Sequence, residues 1–299
     1  MNDRSPTVGV LFPGDMGAAV ASLLQSRGMR VVTTLEGRGD RTARRCQENG
    51  LIVLDSFQAV AQQSNIVFSL VPPDSAEAVA VRYAGFAAIA PAHPLFVDAN
   101  SIRPERMTAM ARTFEAAGID FVDASINGLA KNLARSGTLF LSGVRAEEIA
   151  DLFGDAMRVK ILGAAPGRAS AMKMLLGGLS KGMCALFLEL AIVAQRTGML
   201  SDLLEASALI YPGMSALVDR MLPTYAKHAP RRAVEMGELE AMTRSAGLEP
   251  CVIEAIHRLH ELLATVNFNP ATPEGTTADL IEQLASNPCY AAGTQGAPS

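Results

Sequence analysis

Tryptophan is absent from this sequence of 299 residues, and only four cysteines and four histidines occur. The cysteines lack the Cys-x-x-Cys spacing of zinc sites and redox motifs, and the histidines show no triad or metal pattern. We therefore predict no bound metal and no disulfide framework, and we expect His257 and His260 on an exposed helix surface. The cysteines are Cys46, Cys184, Cys251 and Cys289.

Runs of charge of one sign are also absent, and the formal net charge is −4 at pH 7. Without a basic run, nucleic acid is not a predicted partner. Residues 1–10 hold no long apolar core before a small-residue cleavage site, so we predict no signal peptide. Free thiols fit a cytoplasmic protein, which is the predicted location. The 49% hydrophobic content excludes a disordered chain and fits two domains with their own cores.

Short apolar strands alternate with helical patterns through the first half of the chain. This alternation predicts an α/β fold with a Rossmann-like, doubly wound parallel sheet. In such sheets the ligand lies beyond the carboxyl ends of the strands, which here carry residues 13–17, 71–73, 100–101 and 125–128. The strands are predicted over residues 8–12, 29–35, 51–53, 66–71, 95–98 and 120–123.

The first strand, a glycine turn and a helix follow one another, which is the context of a dinucleotide-binding fingerprint. In that motif the glycines let the backbone approach a pyrophosphate at the helix N-terminus. Phe12 stands where the first glycine of the pattern belongs, so an ordinary strand–helix turn is the alternative interpretation. The predicted cofactor residues of this turn are Phe12, Pro13, Gly14, Asp15, Met16 and Gly17.

The residues after the second strand bear on the choice of cofactor. Arg38 and Arg41 favour NADP over NAD, because a guanidinium group matches the geometry of a 2′-phosphate. Two surface arginines in a solvated loop are the alternative. Glu36 would instead accept a hydrogen bond from a ribose 2′-hydroxyl, as in NAD enzymes.

Small and apolar residues occupy nearly every position from 167 to 196, which predicts a long buried helix. Lys173, Lys181 and Glu189 interrupt the apolar run, so we predict no membrane span. The helix links a predicted NAD(P)-binding Rossmann domain, residues 1–165, to an all-helical substrate and dimerisation domain, residues 166–299. Residues 287–299 are expected to form a flexible tail. A homodimer that packs these helices together is the predicted assembly.

Six motifs, in order along the chain, resemble those of the β-hydroxyacid dehydrogenase superfamily, which contains 6-phosphogluconate and 3-hydroxyisobutyrate dehydrogenases. The motifs read GVLFPGDMG at 9–17, VPP at 71–73, DANS at 98–101, DASINGL at 123–129, ARSGTL at 134–139 and ASAMK at 169–173. The stretch RRAVEMGEL at 231–239 also resembles the short helical domain of a phosphogluconate-dehydrogenase-like branch.

The resemblance implies hydride transfer between nicotinamide and a small hydroxyacid or oxo substrate, with Lys173 as the general acid and base. Ser101, Asn127 and Gly128 are the predicted substrate-binding residues. The family's asparagine is replaced by Gly177, which removes an amide and leaves space for a bulkier substrate. Val71, Pro72, Pro73 and Asn100 complete the predicted cofactor site.

Two alternatives remain open from the sequence. An imine reductase of the same superfamily would use the same fold and cofactor, but it generally carries Asp or Tyr at the position of Lys173. A nicotinamide-nucleotide sensor without turnover is suggested by the glycine missing at Phe12 and the asparagine missing at Gly177. Retention of Lys173 argues against the sensor, since a sensor needs no proton donor.

Overall fold

The computed structural model describes residues 6–90, 94–225, 227–266 and 276–287. The chain divides into two compact units, Met1–Lys173 and Met174–Ser299. The division falls within the long helix, a little after the boundary expected from the sequence. Residues 288–299 of the predicted tail, including Cys289, lie outside the described residues.

The first unit contains a sheet of eight strands in the order β3-β2-β1-β4-β5-β6-β7-β8. Strands β1 to β6 are mutually parallel, which confirms the Rossmann-like fold. The sequence did not predict β7 and β8, and β7 runs antiparallel to β6 while β8 is parallel to β7. The strands are β1 Thr7–Leu11, β2 Arg30–Thr34, β3 Ile52–Leu54, β4 Ile66–Ser69, β5 Leu95–Asp98, β6 Phe121–Asn127, β7 Thr138–Ser142 and β8 Arg158–Ile161.

Helices cover both faces of this sheet, because alternate residues of each central strand point in opposite directions. In β5, for example, Leu95 and Val97 belong to one buried cluster while Phe96 belongs to the other. The first cluster takes up α1 and α7, and the second takes up α3, α4 and α5. The helices of this unit are α1 Asp15–Ser26, α2 Asp40–Glu48, α3 Phe57–Gln63, α4 Pro73–Ala87, α5 Pro104–Ala116, α6 Leu133–Ser136 and α7 Ala146–Phe153.

The regular secondary structure among the described residues of the second unit is helical, and its core is built on the later part of the long helix. Phe187, Leu188 and Ile192 pack there with residues of the following helices. Its buried histidine corrects the sequence expectation, since His260 is fully buried rather than on a helix surface. The helices are α8 Arg168–Arg196, α9 Leu200–Ile210, α10 Pro212–Met221, α11 Ala229–Ser245, α12 Cys251–Thr265 and α13 Thr277–Ala285.

Helix α8 keeps an apolar stripe exposed in the single chain, so it is less buried than its composition predicts. The side chains recur at spacings of three, four and seven residues, which places them on one helix face. By length and composition α8 is apolar enough to cross a membrane, but a core helix of a soluble protein meets the same criteria. The stripe consists of Leu175, Leu179, Leu186, Leu190 and Val193, each about half exposed or more.

Candidate active site

Strands β1, β4 and β5 end at the same level, so their carboxyl ends lie side by side. Leu11 of β1 pairs with Ser69 of β4, and Ser69 pairs in turn with Asp98 of β5. The residues that follow each strand therefore form adjacent loops. Strand β1 lies between β2 and β4, where the strand order reverses, and this is the position at which doubly wound sheets bind ligands.

The N-terminus of α1 supplies a cradle for a pyrophosphate. Gly14 is the residue before the helix, and no side chain caps the first turn. A Cβ added to Gly14 would meet no atom within 4 Å, whereas one added to Gly17 would lie 2.8 Å from the Phe12 carbonyl oxygen. The open backbone at Gly14 and the close packing at Gly17 fit a dinucleotide, because helix N–H groups attract phosphate. Asp15 pairs with Arg45 of α2 beside this turn.

The side chain of Phe12 turns into the protein and away from solvent. It is only 7% exposed and lies in the same buried cluster as Leu11 and Val32. Its ring stacks on Phe57 of α3, with centroids 6.1 Å apart and an angle of 23° between the rings. Because the Phe12 side chain points into the protein, replacement of the first glycine leaves the space beside Gly14 open, as cofactor binding requires.

Glu36 and Arg38 lie in the turn after β2 and have different partners. Glu36 accepts a 2.8 Å hydrogen bond from the Phe57 backbone N–H and pairs with Arg82 of α4. These contacts lower the pKa of Glu36, the Phe57 N–H contributing most. The Arg38 guanidinium carbon lies 4.2 Å above the centre of the Phe12 ring. Arg41 is exposed on α2.

Asn100 joins the loops that follow β4 and β5. Its amide oxygen accepts a 2.6 Å hydrogen bond from the Val71 backbone N–H, and its amide nitrogen donates to Ser69 and Asp98 at 3.0 Å each. Pro72 precedes α4 and Pro73 begins it. The Asn100 side chain therefore shapes the loop that carries Val71, Pro72 and Pro73, and its hydrogen bonds are made within the protein.

Lys173 and Ser101 meet at the carboxyl edge of the sheet. The Lys173 Nζ donates a 2.6 Å hydrogen bond to the Ser101 Oγ, which comes from the loop after β5. Lys173 is partly buried and Ser101 is exposed. The pair places an ammonium group next to a hydroxyl, and such groups can transfer a proton to or from a substrate oxygen.

Asp123 anchors the start of α8 and was not predicted as a site residue. Its buried carboxylate accepts hydrogen bonds from the backbone N–H groups of Gly167, Ala169 and Ser170 at 2.8, 2.9 and 3.2 Å. The hydroxyls of Ser142 and Ser170 add bonds of 2.9 and 2.7 Å. A carboxylate at a helix N-terminus is favourable, and this one holds the turn that precedes Lys173. The sequence feature that could have identified Asp123 is the presence of an acidic residue next to the apolar residues of a strand.

The two buried carboxyl groups of the sheet edge have raised pKa values. Burial, with a smaller contribution from the neighbouring charge of Asp123, raises the pKa of Asp98 to about 7, while the hydrogen bonds from Asn100 act in the opposite direction. Burial likewise raises the pKa of Asp123, while its hydrogen bonds from Ser170 and Ser142 act in the opposite direction.

The remaining predicted substrate residues lie near strand ends or on α8. Asn127 is the exposed last residue of β6, and Gly128 follows it with a φ of +149°. A Cβ on Gly128 would lie 3.0 Å from the Gly137 Cα, so both its backbone angle and its surroundings favour glycine. Gly177 belongs to the second unit, where an added Cβ would lie 3.1 Å from the Lys181 Nζ.

Two family models match the sequence. Residues 7–153 match the model described as the NAD binding domain of 6-phosphogluconate dehydrogenase. Residues 194–263 match a domain of unknown function, DUF1932.

Several proteins are similar along most of the chain. A conserved protein of unknown function, reported to be structurally similar to 3-hydroxyacid dehydrogenases, is 31% identical, covering 86% of this chain and 96% of its own, with a TM-score of 0.71. An uncharacterized 28.5 kDa protein of Methanothermus fervidus is 26% identical over 251 residues, covering 83% of this chain and 94% of its own.

Two enzymes of known class share the fold at lower identity. The 3-hydroxyisobutyrate dehydrogenase of Mycobacterium tuberculosis is 17% identical, with a TM-score of 0.72 over 94% of this chain and 99% of its own. An imine reductase of Streptomyces aurantiacus is also 17% identical, with a TM-score of 0.56 over 93% and 99%.

Proposed function

This chain belongs to the β-hydroxyacid dehydrogenase superfamily, and on that premise we propose that it interconverts a C–OH and a C=O group of a small hydroxyacid or oxo substrate. The coarser conclusion, an oxidoreductase with a nicotinamide cofactor, follows from the matched NAD-binding domain and the related dehydrogenases and reductases. The observation that supports the finer proposal is the hydrogen bond between Lys173 and Ser101.

In the proposed reaction, Lys173 handles the proton of the substrate oxygen. For reduction, its ammonium group donates a proton from Nζ to the carbonyl oxygen. For oxidation, the neutral amine accepts the hydroxyl proton at Nζ. The bound nicotinamide supplies or accepts the hydride. A positioned acid or base of this kind accelerates proton transfer by about 10²-fold to 10⁴-fold.

Ser101, Asn127 and Gly128 orient the substrate in this proposal. The Ser101 hydroxyl both accepts from Lys173 and can donate onward to a substrate oxygen. Asn127 offers an amide at the end of β6, and Gly128 offers a backbone N–H group. Gly177, on the turn of α8 after Lys173, replaces the family's asparagine and has no side-chain amide, so we expect a substrate that needs no such contact.

We further propose that NADP is preferred to NAD. The Glu36 carboxylate is engaged by the Phe57 N–H group and by Arg82, so it is poorly placed to accept a ribose hydroxyl. The exposed Arg38 guanidinium lies in the same turn, and Arg41 follows it at the start of α2. This arrangement supports recognition of a 2′-phosphate.

The proposal is tested by following NADPH oxidation with aldehydes, 2-oxoacids, 3-oxoacids and cyclic imines. We expect turnover with a carbonyl substrate, and loss of turnover by about 10²-fold or more in Lys173→Met, with NADPH affinity retained. Lys160→Met, which alters an exposed lysine of β8, is the matched control. Equal turnover by the Lys173→Met variant would show that Lys173 does not act as the acid.

Imine reduction is the second candidate, and the fold shared with an imine reductase favours it. The lysine favours carbonyl chemistry, because an imine reductase generally carries Asp or Tyr at this position. Turnover of cyclic imines without any turnover of carbonyl compounds would select this candidate. A cofactor sensor is the third, and substrate-dependent oxidation of NADPH would exclude it.

A further inference from the structure

Phe12, in the place of the first glycine of the fingerprint, is part of a stack of aromatic rings and guanidinium groups. Arg38 lies over the Phe12 ring at 4.2 Å, and Phe12 stacks on Phe57 at 6.1 Å. Arg82 lies over Phe57 at 4.8 Å and over Phe86 at 5.7 Å. The stack connects the turn after β1, the turn after β2 and the helices α3 and α4.

The two arginines of this stack, Arg82 and Arg38, have different surroundings. Arg82 pairs with Glu36, so its charge is compensated within the protein. Arg38 is exposed, and the turn that carries it is closed by a 2.8 Å hydrogen bond from its backbone N–H to the Leu35 carbonyl. Gly37, with a φ of +69°, makes this tight turn possible.

We propose that Phe12 is a positioning residue that selects NADP by holding the Arg38 guanidinium for the 2′-phosphate. An exposed arginine samples many rotamers, and ordering one on binding costs free energy. A cation–π contact restricts those rotamers before the ligand arrives while leaving the guanidinium edge open for phosphate oxygens. In this proposal, phenylalanine at position 12 increases the selectivity for NADP over NAD and does not impair the dinucleotide-binding motif.

This inference rests on the proposed function. The contacts of Glu36 also favour NADP, because they occupy its carboxylate. A free carboxylate at this turn would attract a ribose hydroxyl and repel a phosphate. Its contacts with the Phe57 N–H and Arg82 hold Glu36 against α3 and α4. Phe57 thus takes part in both arrangements, through its ring for Phe12 and through its backbone for Glu36.

The test measures dissociation constants of NADPH and NADH by nicotinamide fluorescence for wild type and four variants. These are Phe12→Leu, Phe12→Tyr, Arg38→Ala and the double variant Phe12→Leu with Arg38→Ala. We expect Phe12→Leu to lower the preference for NADPH by about threefold to tenfold, with NADH affinity nearly unchanged. Phe12→Tyr keeps an aromatic face and retains the preference. In the Arg38→Ala background, Phe12→Leu has no further effect on the ratio.

Other outcomes overturn the inference in distinguishable ways. Equal losses for both cofactors in Phe12→Leu assign Phe12 a structural role only. An undiminished effect of Phe12→Leu in the Arg38→Ala background means that it does not act through Arg38. A wild type that binds both cofactors equally defeats this inference but leaves the oxidoreductase proposal standing. A wild type that binds neither defeats both. NADH binding by each variant serves as the check that the first unit is folded.

Discussion

The Nζ of Lys173 lies 2.6 Å from the Oγ of Ser101, although the two residues are 72 positions apart in the sequence. Ser101 stands in the loop after β5, and Lys173 is in the early part of α8. Asp123 joins the two regions, because its strand pairs with β5 and its carboxylate binds the backbone at the start of α8. The Lys173 amine and the Ser101 hydroxyl are therefore both held in place at the carboxyl end of the sheet.

Replacement of Ser101 by alanine removes the acceptor of the Lys173 hydrogen bond. We expect kcat to fall about 10²-fold, because the ammonium group loses its fixed orientation. The affinity for NADPH is expected to stay near that of wild type, since Ser101 contacts Lys173 rather than the glycine turn. Steady-state kinetics with fluorescence titration separate the two effects. A variant with wild-type kcat would remove Ser101 from the mechanism.

Alanine at Gly14 and at Gly17 has contrasting expected effects. Gly14→Ala meets no protein atom within 4 Å, so stability should stay within about 0.5 kcal/mol of wild type. Its methyl group enters the space assigned to the pyrophosphate, so we expect NADPH affinity to fall about tenfold or more.

Gly17→Ala places a Cβ 2.8 Å from the Phe12 carbonyl oxygen, and it forces α1 away from β1. We expect a loss of about 1–3 kcal/mol in the free energy of unfolding, measured by urea denaturation. A Gly14→Ala variant that binds NADPH as wild type does would contradict the assignment of the pyrophosphate site.

Asp98 gives a pH dependence to the stability of the chain. Burial raises its pKa to about 7, above the value of about 3.9 in an unfolded chain. Between these values the folded state holds more protons, so the contribution of Asp98 to stability falls as the pH rises from about 4 to about 7.

The neutral variant Asp98→Asn isolates this effect. We expect wild type to lose stability relative to Asp98→Asn as the pH rises through that range, in urea denaturation at a series of pH values. A difference between the two proteins that does not change with pH would contradict the raised pKa.

His260 gives a pH dependence of the opposite sign. Burial lowers its pKa to about 4, and its Nδ1 donates a 2.8 Å hydrogen bond to the Ile256 carbonyl in the neutral form. The unfolded state binds the extra proton first, so the contribution of His260 to stability is lost as the pH falls from about 6.5 towards 4. Titration of the His260 Cε1–H signal by NMR should show no protonation above pH 5, and protonation near pH 6.5 would contradict the lowered pKa.

The exposed apolar stripe of α8 predicts a homodimer. Leu179 and Leu186 are 62% and 63% exposed in the single chain, and a second copy packed on this face would cover them. Light scattering at micromolar concentration should give a dimeric mass for wild type and a monomeric mass for Leu179→Glu with Leu186→Glu. Leu209→Glu, at an 83% exposed position of α9, is the control. A monomeric wild type would contradict the prediction.

The sequence by itself determined the alternation of strands and helices, the order of the motifs and the long apolar helix. Local patterns suffice for these features, because hydrophobic periodicity and glycine turns act over a few neighbouring residues. They also single out Lys173, which lies beside apolar residues within a motif. The reversed direction of β7 and β8 was not visible, since strand direction depends on pairing between distant segments.

The tertiary structure alone decided which partner each polar group has. Glu36 is bound to Arg82 and the Phe57 backbone, and the Arg38 guanidinium lies over the Phe12 ring, because separate loops meet at the carboxyl ends of the strands. The burial of Asp123 and His260 also depends on contacts between segments far apart in the chain. Spacing along a sequence reports which residues share a face, whereas hydrogen bonds and pKa shifts arise from distances in three dimensions.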